Sequence, residues 1–295
     1  MGGLAKRMLG AVIALWLGLG LGLAAPSQAD TILFVGNSFT FAALSPVWKF
    51  HAAEVTDLNG TGVGGVPALF KIFTREAGLG YTVSLETVGG KDLQFHLDNK
   101  RTVIDGAYDH VVLQSFSTLD AAHPGDPTSL IKSSAEMARM FHARNAKVDV
   151  RLMATWSRAD QTYLTTGHWY GKPIGQMAKD LRAACDQAAA GAPDIAGVIP
   201  VGEAWNRAFD TGFADSDPYD GIQFGQVDLW AFDNYHASSF GYYIEALVVF
   251  GAVTGKDPRS LGPREVAAQE LGISPAQASA MQQIAFDTLA ASAKR

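Results

Sequence analysis

Along the chain, short apolar runs of strand length alternate with longer stretches in which apolar residues recur at helical spacing. Residues 31–35, 82–88, 110–114, 148–154 and 197–201 read as strands. Between and after them, residues 46–57, 67–77, 129–145, 174–190 and 240–254 read as helices. Strand and helix in alternation predict an α/β fold, a parallel sheet with helices on both faces. Ser45 followed by Pro46 marks one helix start, since serine caps free N–H groups and proline suits the first helical position.

The first residues add a compartment. Lys6 and Arg7 precede an uninterrupted apolar stretch over 8–25, followed by Pro26-Ser27-Gln28-Ala29. Small residues at Ser27 and Ala29 fit signal-peptide cleavage, so residues 1–29 are expected to be removed and Asp30 to begin the mature chain, secreted or periplasmic. An uncleaved anchor is the competing reading, because the stretch approaches the roughly 18 to 20 residues that span a bilayer. Residues 30–295 then form one domain, without repeats or low-complexity tracts, and nothing later in the sequence reads as membrane-inserted.

Net charge is −6, which argues against a nucleic-acid partner, since that would need a clustered basic face. Cys185 is the only cysteine. No internal disulfide can form, and its helical surroundings mark it as a small buried residue and not a nucleophile.

Candidate chemistry begins where the first strand runs into Gly36-Asn37-Ser38. A serine at the carboxyl end of a central strand stands where open α/β sheets bind ligands, although it could equally cap the next helix. Far downstream, Asp233-Asn234-Tyr235-His236 places a carboxylate three residues before a histidine. A serine hydroxyl needs an imidazole to take its proton and a carboxylate to hold the imidazole's tautomer. One turn can supply both, though a polar helix-capping turn would look the same.

Taken together these segments resemble the SGNH, or GDSL-like, hydrolases. Gly36-Asn37-Ser38 is similar to the first family block, with Asn37 where the name-giving motif has aspartate. Val88-Gly89-Gly90-Lys91-Asp92-Leu93 resembles the second, Val111-Val112-Leu113-Gln114 the third, and Asp233-Asn234-Tyr235-His236 the last. The blocks occur in the family's order across nearly all of 30–295. The resemblance implies a flavodoxin-like three-layer α/β/α sandwich with a five-stranded parallel sheet, matching the five strands above. It implies a triad of Ser38, Asp233 and His236, with the N–H groups of Ser38 and Gly90 and the Gln114 amide holding the oxyanion. Gln114 departs from the family's asparagine by one methylene, which bears on the geometry of that hole. No cofactor is implied.

The expected activity is that of an exported serine esterase acting on a small-molecule or carbohydrate ester through an acyl-serine. An O-acyltransferase with the same triad and a non-catalytic glycan-binding protein on the same scaffold are the alternatives. Gly60-Thr61-Gly62-Val63-Gly64-Gly65 satisfies a dinucleotide-binding pattern as text but follows an expected helix instead of a strand, so it reads as a loop. The remaining histidines lack metal-ligand spacing. His96, His168 and the tryptophans Trp156, Trp205 and Trp230 are candidates to line the cleft, with core packing as the alternative for each.

Overall fold

The computed structural model describes residues 1–2 and 29–294. The signal-peptide expectation falls almost wholly outside the described residues. The strands are β1 (Asp30–Gly36), β2 (Thr56–Asp57), β3 (Tyr81–Thr87), β4 (His110–Leu113), β5 (Asp149–Ala154) and β6 (Gly197–Pro200). They pair in the order β2-β3-β1-β4-β5-β6, with every rung parallel. The helices are α1 (Gly65–Glu76), α2 (Leu93–Asn99), α3 (Arg101–Ile104), α4 (Thr128–Arg144), α5 (Ala159–Tyr163), α6 (Gly175–Gly191), α7 (Val201–Asp210), α8 (Ser239–Thr254), α9 (Val266–Glu270) and α10 (Pro275–Ser292).

Side-chain alternation along the strands splits the core into two layers, because successive residues of a strand face opposite ways. Ile32 and Phe34 of β1, with Val83, Leu85, Val112, Met153 and Ile199, pack against α1, α7, α8, α9 and α10. Leu33 and Val35, with Val111, Leu113, Val150 and Leu152, pack against α2, α4 and α6. The result is the expected three-layer sandwich of flavodoxin-like form.

The sheet has six strands, not five, and the sixth arises where the sequence predicts a helix over 46–57. Ser45 does cap, its Oγ accepting the Val47 N–H at 3.3 Å, but only a 3₁₀ turn forms, over Pro46–Lys49. His51 then adopts φ +41°, which no α-helix tolerates, and a second 3₁₀ turn covers Ala52–Glu54. The chain extends at Val55, and Thr56–Asp57 join the sheet edge opposite Ser84 and Leu85.

Cys185 is buried against β5, where desolvation pushes its thiol up to about 12. The packing reading of this residue holds.

Helix α8 is apolar nearly all round and occupies the centre of its layer. It carries one carboxyl side chain into that centre. Glu245 is fully buried, and neither carboxyl oxygen has a hydrogen-bond partner among the described residues. Burial alone raises its pKa well above the ordinary value of 4.5, so the folded state holds it protonated. A group raised in this way adds no penalty below pH 4.5 and destabilises the fold progressively as the pH rises toward the folded-state value. While the folded carboxyl stays neutral, each pH unit costs about 1.4 kcal/mol. Glu245→Gln is therefore expected to raise Tm by several degrees at pH 7 and to leave it nearly unchanged at pH 4. Thermal melts of both proteins across pH 4 to 8 check this, and a pH-independent difference would show that the carboxyl does not stay protonated.

Candidate active site

The carboxyl ends of β1, β3 and β4 and the turn before α8 converge on Ser38. Beyond β1 the chain doubles back at once, the Asn37 carbonyl accepting the N–H groups of Thr40 and Phe41, each at 3.0 Å. The Asn37 side chain is buried and fully used. Its Oδ1 accepts the Phe39 N–H at 3.1 Å, and its Nδ2 donates to the carbonyls of Lys91 at 2.9 Å and Ser115 at 3.1 Å. Asn37 thus ties the serine loop to the segments after both neighbouring strands. Gly36 must be glycine, since a Cβ there would lie 2.2 Å from Thr40 Oγ1 and 2.8 Å from Gln114 Oε1.

Ser38 is 7% exposed, and its carbonyl accepts from the Tyr242 hydroxyl of α8 at 3.3 Å. The same hydroxyl lies 3.4 Å from the carbonyl of Ala43, so α8 latches both ends of the serine loop. The next residue, Phe39, meets the His236 ring at a centroid distance of 5.7 Å.

The 233–236 turn is built by its own aspartate. Asp233 Oδ1 accepts the N–H groups of Tyr235 at 3.1 Å and His236 at 2.9 Å, while Oδ2 takes the His236 Nδ1 at 2.7 Å. Burial raises the Asp233 pKa, but the hydrogen bonds from the His236 ring and from the two backbone N–H groups outweigh it and hold the carboxyl below 3.8. An ionised Asp233 fixes Nδ1 as the protonated nitrogen. Nε2 is buried with no hydrogen-bond partner among the described residues, and is left as the basic lone pair.

Three residues after β5 hold this turn in place. Trp156 Nε1 donates to the Tyr235 carbonyl at 3.2 Å, and Trp156 stacks on Phe39 at 4.1 Å. Trp230 Nε1 donates to the Ser157 carbonyl at 3.1 Å. The Arg158 guanidinium lies 3.6 Å over the Tyr235 ring, which itself rests 4.1 Å from the His236 ring, and Asp160 receives two of the Arg158 N–H groups. The sequence reading left Arg158 and Tyr235 without roles. Their one legible signal is position, since Arg158 follows a strand end as Ser38 does.

Gly90 lies in the turn after β3, with φ +70°, and this turn is drawn to the serine loop by the Val88 N–H donating to the Gly36 carbonyl at 3.1 Å. Among the described residues no hydrogen bond engages the N–H of Ser38 or of Gly90. Both donors therefore remain free.

Gln114 is placed differently from the expectation. It is fully buried, and its carbonyl end faces the serine loop, Oε1 accepting the Asn37 N–H at 2.9 Å and the Thr40 hydroxyl at 3.1 Å. Its Nε2 donates to the Ser115 carbonyl. The Asn37 N–H is a donor, so only an acceptor can meet it, and the amide cannot present N–H₂ on that side. Gln114 supports the loop that carries Ser38, with its Oε1 and not its Nε2 toward that loop.

The other cleft candidates divide. Trp156, Trp205 and Trp230 are buried and stack on one another or on Phe39 and Phe209, so they fill core and offer no face to a ligand. His168 is exposed. His96 is fully buried, its Nδ1 bonded to Glu86. The Gly60–Gly65 segment follows a two-residue strand after all, but the Asp57 carboxylate already takes the N–H groups of Asn59, Thr61 and Val63 at 3.0, 2.7 and 3.3 Å. A carboxylate occupies the place a phosphate would need.

No protein-family model and no curated protein matches the sequence. Solved structures do match in fold. A DUF4886 family protein from Bacteroides uniformis superposes with a TM-score of 0.62 at 20% identity, over 89% of this chain and 95% of that one. A candidate GDSL-like lipase from Parabacteroides merdae gives 0.54 at 15% identity, over 77% and 96%. An α/β hydrolase enzyme from the metagenome of Lake Arreo gives 0.51 at 16% identity, over 77% and 95%. With its parallel sheet covered by helices on both faces, the chain has the fold of the SGNH/GDSL-like hydrolases.

Proposed function

We propose that the protein is an exported serine esterase that hydrolyses an O-acyl ester through an acyl-serine intermediate. The observation that carries this reading is the Asp233–His236 pair, with Nδ1 held by the carboxylate and Nε2 buried and unpartnered beside the Ser38 loop. In the reaction, His236 Nε2 takes the Ser38 hydroxyl proton as Oγ attacks the ester carbonyl carbon. The developing oxyanion accepts from the N–H groups of Ser38 and Gly90. Collapse of the tetrahedral species expels the alcohol, which receives the proton from His236, and water then repeats the sequence to release the acid. Asp233 orients the imidazole and stabilises its charged form throughout.

The test pairs fluorophosphonate labelling with a panel of p-nitrophenyl esters and acetylated oligosaccharides, on the chain beginning at Asp30. The reading expects labelling at Ser38 and turnover of short-chain esters. A protein that neither labels nor hydrolyses any ester of the panel would overturn it. The export part is tested separately, by N-terminal sequencing of the protein recovered outside the cytoplasm, where Asp30 is the expected first residue.

A further inference from the structure

Next to the proposed reaction centre lies an open cleft of about 470 Å³, within the roughly 300 to 1,000 Å³ common for small-molecule sites. It is bounded by Phe41, three residues beyond Ser38, and by Gly89, the neighbour of Gly90, and it extends outward to Trp48, Asn59, Thr61 and Lys100. Trp48 is 43% exposed, unlike the tryptophans of the core, and leans on Phe41 at a centroid distance of 6.2 Å. An exposed indole on a cleft wall offers the flat apolar face that a pyranose ring can cover.

The polar wall is fixed from beneath. Lys100 Nζ donates to Asn59 Oδ1 at 2.7 Å, and Asn59 Nδ2 donates both to Glu86 Oε1 and to the Thr87 carbonyl, each at 2.9 Å. Glu86, fully buried, is held in turn by the fully buried His96. A chain of four side chains thus runs from the core to one ammonium group at the cleft. Among the described residues Lys100 pairs with no carboxylate, and no acidic residue lines the cleft, although the chain carries a net charge of −6. Asp57, outside the lining, spends its oxygens on the 59–63 loop.

We propose that this cleft binds the alcohol part of the substrate as a carboxylate-bearing sugar, the ring lying on Trp48 and the carboxylate meeting Lys100. The inference rests on the esterase reading for the identity of the reaction and on the cleft alone for the identity of the ligand. An acidic residue in such a sugar sits where one unpaired ammonium in an acid-free recess gains a partner, and a neutral sugar leaves that ammonium with Asn59 only.

The test compares an acetylated hexuronic-acid oligosaccharide with its carboxyl-reduced counterpart, which is the same chain made neutral. The native enzyme is expected to favour the acidic ester in kcat/KM by at least tenfold. Lys100→Met should bring that ratio to about one, Lys100→Arg should keep most of it, and Trp48→Ala should raise KM for both esters with the ratio preserved. Using the ratio removes any general loss from imperfect folding. In parallel, calorimetry with Ser38→Ala measures binding of the deacetylated acidic oligosaccharide without turnover. Lys100-dependent binding in a protein that hydrolyses no ester would retain the subsite and remove the esterase. Ester hydrolysis with equal rates on the two oligosaccharides, or a preference that Lys100→Met leaves intact, would remove the subsite and retain the esterase.

Discussion

Ser38→Ala is expected to lower ester hydrolysis by about 10⁴- to 10⁶-fold, the range found when a triad nucleophile is removed. The fold should not register the change, because the Ser38 side chain makes no hydrogen bond among the described residues and the loop is held through Asn37, Tyr242 and Gln114. His236→Ala should cost a similar factor, and the double variant should lose little more than either single one, since the groups act as a unit. The measurement is kcat/KM on a p-nitrophenyl ester together with a thermal melt for each variant. Retention of more than a few per cent of activity by Ser38→Ala at an unchanged Tm would remove Ser38 as nucleophile. Losses that multiply in the double variant would separate His236 from the serine.

Gln114→Ala carries the second large effect, and on two readouts at once. Truncation strands the buried Asn37 N–H and the Thr40 hydroxyl and leaves the Ser115 carbonyl with the Asn37 Nδ2 alone. A stranded buried polar group costs about 1 to 3 kcal/mol, so the two stranded donors should cost roughly 2 to 6 kcal/mol in total and on the order of 10 °C in Tm. Because Asn37 and Thr40 flank Ser38, the nucleophile should shift as well, and a displacement near 1 Å is worth about 10²-fold in rate. Gln114→Asn introduces the asparagine that the sequence resemblance implies here, yet it draws the carbonyl away from the Asn37 N–H and should fail on both readouts. A fall in kcat at unchanged Tm would instead return Gln114 to the oxyanion hole.

The strands were legible because a parallel sheet covered on both faces needs apolar runs, and 32–35, 111–113 and 152–154 are such runs. The 46–57 segment misled because its helix start is genuine. What stops the helix is the left-handed backbone at His51, whose ring spans Glu54 and the distant Glu270 at 2.6 Å each, a tertiary bond that no local pattern announces. Helix α10 was missed despite its marks, for Ser274-Pro275 with Gln277 forms a capping box. In the site, Asp233 and His236 were readable because a single turn joins them. Gln114 was readable as a polar residue at a strand end, whereas which end of its amide meets the serine loop depends on Asn37 and Thr40, over 70 residues away. Trp48 and the buried tryptophans are alike in sequence, and only packing tells a cleft wall from a core.

The Tyr242 latch on the serine loop gives activity a meaning in folding. Ser38 and Tyr242 lie 204 residues apart, and the hydrogen bond between them closes a loop of most of the described chain. Contacts of such separation form only after the entropy of closing the intervening loop has been met, which makes them slow to appear. The loop and the Asp233–His236 turn can each exist before that closure without forming a working pair. Recovery of turnover during refolding is therefore expected to time a long-range event of assembly, while recovery of helical signal times the earlier, local ones.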